Sequence, residues 1–217
     1  MIALENLSKT FVLNGQRKTI AQNVSLVFPT GRSCALLGRN GAGKSTLLKM
    51  ISRRMDPTAG RILSTGTISW PVGFAGSFHG ELTGAQNTRF VARIYGVDSD
   101  ELIDFVQDFA GLGGHFWLPV NTYSSGMRSR LAFGNSMGIA FDTYLVDEVT
   151  AVGDSDFKNK SKLLFWERMK SAGAIIATHS MGQVRDICDC AVVMENGQMS
   201  FFDNVEEGIA QHERNMR

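Results

Sequence analysis

The stretch of sequence that decides the fold is Gly38-Arg39-Asn40-Gly41-Ala42-Gly43-Lys44-Ser45-Thr46. Its glycines allow successive backbone N–H groups to point inward at an anion, which is how a loop wraps around phosphate oxygens. Lys44 supplies a positive charge for the outer phosphates of a nucleotide, and Ser45 offers a hydroxyl group to Mg²⁺. This segment, the phosphate loop, therefore predicts a nucleotide-binding protein.

The residues on either side of the phosphate loop support the same interpretation. An apolar run at residues 34–37 predicts a buried strand before the loop, and the run at 47–50 predicts a helix after it. In that order the phosphates would lie at a helix N-terminus, where free amides and the helix dipole favour negative charge. The alternative is a glycine-rich turn that arose by chance, and the order of strand, loop and helix argues against it.

The composition limits the possible classes of protein. A chain of 217 residues can bury a full hydrophobic core without disulfides or structural metals. Lys and Arg number 22 against 21 for Asp and Glu, so the charge balance indicates no nucleic-acid partner. No apolar run approaches the roughly 20 residues of a membrane-spanning helix, and the N-terminus does not resemble a signal peptide. We therefore expect a soluble protein that is not exported.

An antiparallel β subdomain is predicted at the N-terminus. Residues 2–7 and 24–28 are apolar stretches typical of strands. Asn14 and Gly15 lie between apolar stretches and form a dipeptide that is common in hairpin turns. These first strands would therefore pair with each other before the chain enters the phosphate loop.

The remainder of the chain predicts a helical insert and a parallel sheet. Residues from 84 to about 110 place apolar side chains at helical spacing. The β-rich runs at 143–146 and 174–177 are separated by a helical stretch, which is the pattern of a parallel α/β sheet. We expect one domain over residues 1–217, with a helical subdomain over roughly residues 80–140.

Two adjacent acids, Asp147 and Glu148, follow the apolar strand at residues 144–146. A parallel sheet delivers such residues to the ligand crevice at the carboxyl ends of its strands. Asp147 would hold Mg²⁺ through water, while Glu148 would polarise the water that attacks the γ-phosphate. The alternative is an acidic strand end that is merely solvated, but the presence of the phosphate loop favours the functional interpretation.

A second helix start that could meet a phosphate lies at residues 123–127. Ser125 and Gly126 would expose backbone amides at the N-terminus of a helix that continues to about residue 138. On these residues alone, an ordinary N-cap is the more frequent explanation. The position of the segment favours a role in phosphate binding over an ordinary N-cap, since it lies beyond the helical insert and before the acidic strand end.

The order of these motifs resembles that of the ATP-binding cassette (ABC) family. The resemblance implies an α/β fold of the P-loop NTPase class, with a mixed parallel sheet core, an N-terminal antiparallel β subdomain and a helical insert. It implies ATP and Mg²⁺ as cofactors. Catalysis would involve Lys44, Glu148 and His179, and the metal would be bound by Ser45 and Asp147.

In this family the segment equivalent to residues 123–127 completes the nucleotide site of a second copy, and its usual form is Leu-Ser-Gly-Gly-Gln. Here Tyr123, Ser125 and Met127 depart from that form. Ser124 and Gly126 keep the hydroxyl and the amide that the family uses on the γ-phosphate. The resemblance therefore implies that residues 124–126 take part in nucleotide binding.

Further site residues follow from the resemblance. Phe11 occupies the place of the aromatic side chain that stacks on adenine, with packing in the core as the alternative. His179, directly after a β-rich run, matches the histidine that contacts the γ-phosphate. Asp154 resembles the loop acid that communicates across the dimer and lies near the nucleotide.

One residue that the family usually has is missing. A glutamine between Trp70 and Phe78 would link the metal with the transport subunit, and this stretch contains none. Gln86 lies too far along the chain to replace it. The aromatic residues of the same stretch form either a docking surface or a packing contact between insert and sheet, and the sequence does not distinguish these two.

The unusual segments narrow the resemblance to the ATPase subunits of bacterial capsular polysaccharide exporters. They are residues 68–74, 78–84, 123–128 and 147–154. Exporters of O-antigen or teichoic acid share the Tyr-Ser-Ser-Gly-Met variant, but many of them carry a long C-terminal domain, so the end of this chain soon after its last strands favours the capsule branch.

This resemblance implies partners and a location. Two copies would form a homodimer over two ATP molecules and would act on a separate integral membrane subunit, which makes most of the contact with the polysaccharide. The protein would lie peripherally on the cytoplasmic face of the bacterial inner membrane. Rival hypotheses are an ABC ATPase that acts in DNA repair or translation, and a P-loop kinase, which would leave residues 123–127 and His179 without a role.

Overall fold

The computed structural model describes residues 1–74, 76, 78–148 and 155–216 of the chain. These residues form two compact units. The first consists of the described residues within Met1–Pro71, Phe141–Val149 and Met169–Arg217, and the second of those within Val72–Ala140 and Thr150–Arg168.

The described strands all belong to the first unit. They are β1 (Ile2–Leu13), β2 (Gln16–Phe28), β3 (Ser33–Leu37), β4 (Ala59–Ser64), β5 (Ile68–Pro71), β6 (Thr143–Asp147), β7 (Gly173–Ala177), β8 (Cys190–Glu195) and β9 (Gln198–Phe202). The α-helices are α1 (Lys44–Ile51), α2 (Gly84–Tyr95), α3 (Ser99–Ala110), α4 (Ser125–Gly138), α5 (Ser155–Ser171), α6 (Met181–Ile187) and α7 (Val205–Met216). In the part of the chain that the structure describes, none of the helices has both the length and the apolar character needed to cross a bilayer.

Two sheets build the first unit. A three-stranded antiparallel sheet has the order β2-β1-β4. A six-stranded sheet has the order β5-β6-β7-β3-β8-β9, in which β8 and β9 are antiparallel and the other neighbours are parallel. The prediction of a mixed, mostly parallel core with an N-terminal antiparallel β subdomain is confirmed.

The first hairpin turns at the predicted dipeptide. Asn14 and Gly15 both have left-handed backbones, with φ of 50° and 77°, between the paired residues Leu13 and Gln16. Two-residue hairpin turns of the type that matches strand twist need positive φ at both central positions, which Asn and Gly adopt at low cost. The local sequence therefore sets the register next to the turn, where Thr10–Leu13 pair with Gln16–Thr19.

The central strands and the helix after the phosphate loop form the core of this unit. Every residue of β3 and β7 is buried. Because these strands are covered on both faces, their sequences do not alternate between apolar and polar residues. Helix α1 buries Leu47, Leu48, Met50 and Ile51 and contacts β6 and β7. Each fully buried leucine contributes about 1.5–3 kcal/mol relative to an exposed one, so this face fixes the start of α1 on the sheet.

The register of the parallel strands brings three carboxyl ends together. Asp147, the last residue of β6, is paired with Ala177, the last residue of β7. Ala177 is also paired with Leu36 of β3, one residue before that strand ends. The phosphate loop, Glu148 and the segment that contains His179 therefore all begin at one edge of the sheet.

The second unit is mainly helical, and α2 begins with a capping box. The Gln86 backbone N–H donates to Thr83 Oγ1 at 3.1 Å, and the Thr83 N–H donates to Gln86 Oε1 at 2.9 Å. Such reciprocal bonds satisfy amides that the first helical turn leaves without partners. The Gln86 side chain is thus committed to the start of α2.

Aromatic side chains hold the helices of the second unit together. Phe109 of α3 stacks on Phe133 of α4 at a centroid distance of 5.8 Å and meets Phe157 of α5 edge-on at 5.3 Å. Phe105 stacks on Phe109 from within the same helix at 5.8 Å. Both arrangements are favoured geometries for aromatic pairs and add to the area that the rings bury.

Helix α7 of the first unit lies against the sheet through a glycine. A Cβ atom added at Gly208 would lie 2.4 Å from the Cβ of Ala191 in β8. Gly208 and the neighbouring Ile209 are both buried. The absence of a side chain at position 208 therefore lets the helix backbone contact the strand directly.

We predict that Gly208→Val destabilises the protein by about 1–3 kcal/mol, because the added side chain forces α7 away from β8. The matched control is Ala210→Val, at an exposed position of the same helix, where only a helix-propensity cost of below about 1 kcal/mol is expected. Urea denaturation followed by circular dichroism measures both changes. Equal midpoints for the two variants would show that the close contact has no energetic role.

Candidate functional site

A cavity of about 520 Å³ lies at the carboxyl ends of the parallel strands in the first unit. Strand β2, the phosphate loop and the ends of β6 and β7 contribute its walls. It is lined by Phe11, Lys18, Ile20, Asn40, Gly41, Gly43, Lys44, Ser45, Thr46, Asp147, Glu148, Ala177 and His179. Most of the residues that the sequence predicted for the nucleotide thus line one cavity.

The phosphate loop has the backbone shape that its glycines predict. Gly41 and Gly43 have positive φ of 79° and 107°, and Gly43 is the N-cap of α1. The Ala42 N–H donates to the Arg39 carbonyl at 3.0 Å, which closes a tight turn within the loop. Gly38 approaches the sheet so closely that a Cβ atom there would lie 2.7 Å from the Met194 carbonyl oxygen. The shape of the loop is therefore restricted both by its internal turn and by the contact of Gly38 with the sheet.

Lys44 points back onto its own loop. Its Nζ donates to the Gly38 carbonyl at 2.7 Å and lies 3.3 Å from the Arg39 carbonyl, to which it also donates. Partial burial lowers the pKa of Lys44, while the nearby carboxylates of Asp147 and Glu148 act in the opposite direction. To bind an anion in the cavity, Lys44 would have to exchange these carbonyl contacts for contacts with the oxygens of the anion.

Two oxygen side chains meet at the base of the cavity. Ser45 Oγ donates to Asp147 Oδ1 at 3.0 Å, although the two residues are 102 positions apart in sequence. The contact forms because Ser45 lies in the first turn of α1 and Asp147 ends β6. A hydroxyl and a carboxylate at this distance are the hard oxygen ligands that Mg²⁺ prefers.

Glu148 and His179 form a second pair at the same edge. Glu148 Oε1 lies 3.5 Å from His179 Nε2, and the two side chains are 61% and 50% exposed. Glu148 has a left-handed backbone with φ of 53°, and its N–H donates to the Ala177 carbonyl at 2.8 Å. Such conformations are costly for residues other than glycine and concentrate at functional sites. The pair is open to solvent and able to contact a ligand.

Phe11 lines the cavity and is 38% exposed. This exposure argues against the alternative that it packs in the core. Lys9 Nζ lies 5.0 Å from the Phe11 ring centroid and also donates to the Asp56 carbonyl at 2.7 Å. The ring therefore has one cation nearby while it remains accessible from the cavity.

A second, smaller cavity of about 320 Å³ adjoins the phosphate loop and shares Asn40 and His179 with the first one. Gly38, Arg39, His212 and Met216 complete its lining. Burial lowers the pKa of His212, and the positive charge of Lys44 acts in the same direction. The last helix thus adds a histidine beside the phosphate loop.

Four predicted site residues are not among the described residues of the first unit. Ser124, Ser125 and Gly126 lie in the second unit, where Ser124 caps α4 by accepting a bond from the Met127 N–H at 3.2 Å. Asp154 lies outside the described residues. The roles of these four residues stay predictions.

The sequence did not reveal Lys18, Ile20 or His212 as residues near the site. The first two lie two positions apart on β2, and only the sheet geometry decides which face of that strand meets the phosphate loop. His212 depends on how α7 packs on the sheet, which no local pattern encodes. Strand alternation from the hairpin turn onward is the one signal that could have suggested Lys18 and Ile20.

Comparisons with known proteins agree with this geometry. The sequence model of the family described as ABC transporter matches residues 21–151. The chain is 47% identical over 215 residues to the polysialic acid transport ATP-binding protein KpsT of Escherichia coli, covering 98% of this chain and 96% of that protein. It is 44% identical over 207 residues to the capsule polysaccharide export ATP-binding protein CtrD of Neisseria meningitidis serogroup B, covering 95% and 96%.

The fold is also similar to that of a solved structure. This is the dimeric structure of a post-hydrolysis state of the ATP-binding cassette MJ0796 bound to ADP and Pi, with a TM-score of 0.74 and 20% sequence identity. The match covers 93% of this chain and 98% of the other. The family match, the identity to full-length relatives and the shared fold lead to one conclusion: the chain belongs to the ABC transporter family and is an ATPase subunit of that family.

Proposed function

We propose that the protein is the ATP-hydrolysing subunit of a bacterial exporter of capsular polysaccharide. The observation that carries this proposal is the cavity in which the phosphate loop, Asp147, Glu148 and His179 meet. The substrate class is supported by the relatives KpsT and CtrD, which are named for polysialic acid transport and capsule polysaccharide export. The polysaccharide would be contacted mainly by a separate integral membrane subunit, and this chain would bind peripherally at the cytoplasmic face of the inner membrane.

The cavity fits a nucleoside triphosphate in one orientation. Phe11 offers an accessible aromatic face to the adenine at one end. The amides at the start of α1 and the Lys44 ammonium group would bind the phosphates at the other end. The adenine would then lie towards the antiparallel sheet and the γ-phosphate towards Glu148 and His179.

The site also has suitable ligands for Mg²⁺. Ser45 Oγ and Asp147 Oδ1 are 3.0 Å apart, and both are hard oxygen donors. Mg²⁺ usually keeps several waters and is bound through one or two protein oxygens together with substrate phosphates, so two side chains suffice. When bound, the ion would neutralise charge on the β- and γ-phosphates.

Hydrolysis would use the exposed pair at the strand ends. The Glu148 carboxylate would accept a proton from a water molecule while the oxygen of that water attacks the γ-phosphorus. The bond from that phosphorus to the bridging oxygen of ADP breaks, and ADP and phosphate leave. His179, 3.5 Å from Glu148, would donate a hydrogen bond to the γ-phosphate and hold Glu148 in position.

A second copy of the chain would complete the site. Glu148 and His179 are at least half exposed, and attack by one selected water requires that bulk solvent is excluded. The start of α4, with the Ser124 hydroxyl and the Gly126 amide, would cover the γ-phosphate of the partner copy. We therefore propose a homodimer that closes over two ATP molecules and opens after hydrolysis. Asp154 would act in communication between the copies.

Replacing Glu148 tests its proposed role as the base. Glu148→Gln retains the size of the side chain but removes the proton acceptor, so ATP turnover should fall by about 100-fold or more while ATP affinity stays within about threefold. Steady-state phosphate release and equilibrium titration with ATP measure the two effects. Glu207→Gln, an exposed change in the first turn of α7, is the matched control and should retain wild-type turnover. Wild-type turnover in Glu148→Gln would exclude Glu148 as the base.

Replacing Lys44 tests the phosphate end of the cavity. Lys44→Ala removes the charge from the phosphate end of the cavity and should weaken ATP binding by roughly tenfold or more. Isothermal titration calorimetry measures the dissociation constant. Lys49→Ala removes an exposed lysine from the last turn of the same helix and should bind ATP as the wild type does. An unchanged affinity in Lys44→Ala would contradict the assignment of the phosphate loop.

A further inference from the structure

Lys18 lies beside the phosphate loop, at the cavity wall that β2 forms. A Cβ atom added at Gly41 would lie 3.4 Å from the Lys18 Nζ. The ammonium group therefore lies next to a loop whose backbone N–H groups are suited to bind phosphate. None of the roles described above involves this lysine.

The position of Lys18 is set by the packing of its strand. Ile20 lies two residues further along β2, and both side chains line the same cavity. A Cβ atom at Gly43 would come within 2.1 Å of Ile20 Cγ2, which means that Ile20 packs directly on the Gly43 backbone. The packing of Ile20 on Gly43 therefore keeps β2 aligned along the loop and places the backbone of Lys18 beside it.

Lys18 also differs from the other lysines of the site in its contacts. Lys44 donates to two carbonyl groups of its own loop, and Lys9 donates to the Asp56 carbonyl. Within the described ranges, the Lys18 side chain makes no hydrogen bond and no ion pair. Its charge is thus available to a ligand without the loss of an existing bond.

The location indicates which part of the nucleotide Lys18 would meet. In the β1–β2 pair, Lys18 is the direct partner of Phe11, and side chains of directly paired residues share one face. Lys18 therefore lies between the aromatic end of the cavity and the glycines of the loop. The inner phosphates of a nucleotide occupy that interval, whereas the γ-phosphate lies beyond it, towards Glu148.

We propose that Lys18 is a second cationic ligand for the nucleotide, which binds the α- and β-phosphate oxygens while Lys44 binds the outer ones. The inference rests on the proposed function, since it assumes that ATP occupies the cavity. It assigns to the N-terminal sheet a share of phosphate binding in addition to contact with adenine. Because both ATP and ADP have inner phosphates, Lys18 would bind both nucleotides equally.

The test compares ATP and ADP binding to the full chain by isothermal titration calorimetry. Lys18→Met removes the charge but retains most of the side-chain length, and it should weaken ATP and ADP by the same factor, about 5- to 20-fold. Lys18→Arg retains the charge and should restore most of the affinity. Arg17→Met is the matched control, because Arg17 is exposed, adjacent in β2 and on the opposite face of the strand. It should bind both nucleotides as the wild type does.

The remaining outcomes would overturn the inference in different ways. Wild-type affinity in Lys18→Met would show that the lysine is not a ligand, and an equal loss in Arg17→Met would show a general effect of surface charge. A loss confined to ATP would place Lys18 at the γ-phosphate. Failure of the wild-type protein to bind either nucleotide would instead overturn the proposed function, and with it this inference.

Discussion

The parallel pairing of β6, β7 and β3 is the constraint on which the site depends. The ladder places Asp147 beside Ala177 and Ala177 beside Leu36, so three strand ends are aligned within one residue of each other. The groups proposed to bind and cleave the nucleotide follow these ends by only a few residues. Their positions are thus set by the buried sheet and by the apolar face of α1, with little freedom left to the loops.

The same edge leaves the proposed catalytic pair open to solvent. Because the strand ends are open to solvent, Glu148 and His179 are at least half exposed. The Lys44 ammonium group donates a hydrogen bond to a carbonyl group of its own loop. A nucleotide would replace those carbonyl contacts, but it would leave the γ-phosphate side uncovered. The proposed closure by a second copy would cover that side, and the cap of α4 is a suitable group to provide it.

Local patterns in the sequence were sufficient to predict the elements of the site that depend on backbone shape or strand position. Glycine spacing predicted the phosphate loop, Asn14 and Gly15 predicted the hairpin, and the acids after an apolar strand predicted the position of Asp147. The sequence could not predict Lys18 or His212. Their location depends on long-range packing: the face of β2 that meets the loop, and the contact of Gly208 with β8.

The left-handed backbone of Glu148 was also beyond prediction, because glutamate has no local preference for it. It arises where the chain leaves β6 while its N–H still bonds to the end of β7. The strain is tolerated because the sheet on both sides fixes the chain direction. A residue in a costly conformation at the edge of the cavity thus supports the functional interpretation independently of the motif that first suggested it.

The most direct test of a site shared by two copies is the ATPase rate of a mixture of two inactive variants. One variant carries Lys44→Ala, and the other carries Gly126→Asp, where an added Cβ atom would meet, among the described residues, only Ser124 Oγ at 3.9 Å. In a mixed dimer, one site combines an intact phosphate loop with an intact Gly126. A site shared by two copies predicts that mixing restores hydrolysis well above the rate of either variant alone. A mixture as inactive as its components, under conditions in which the wild type is active, would contradict it.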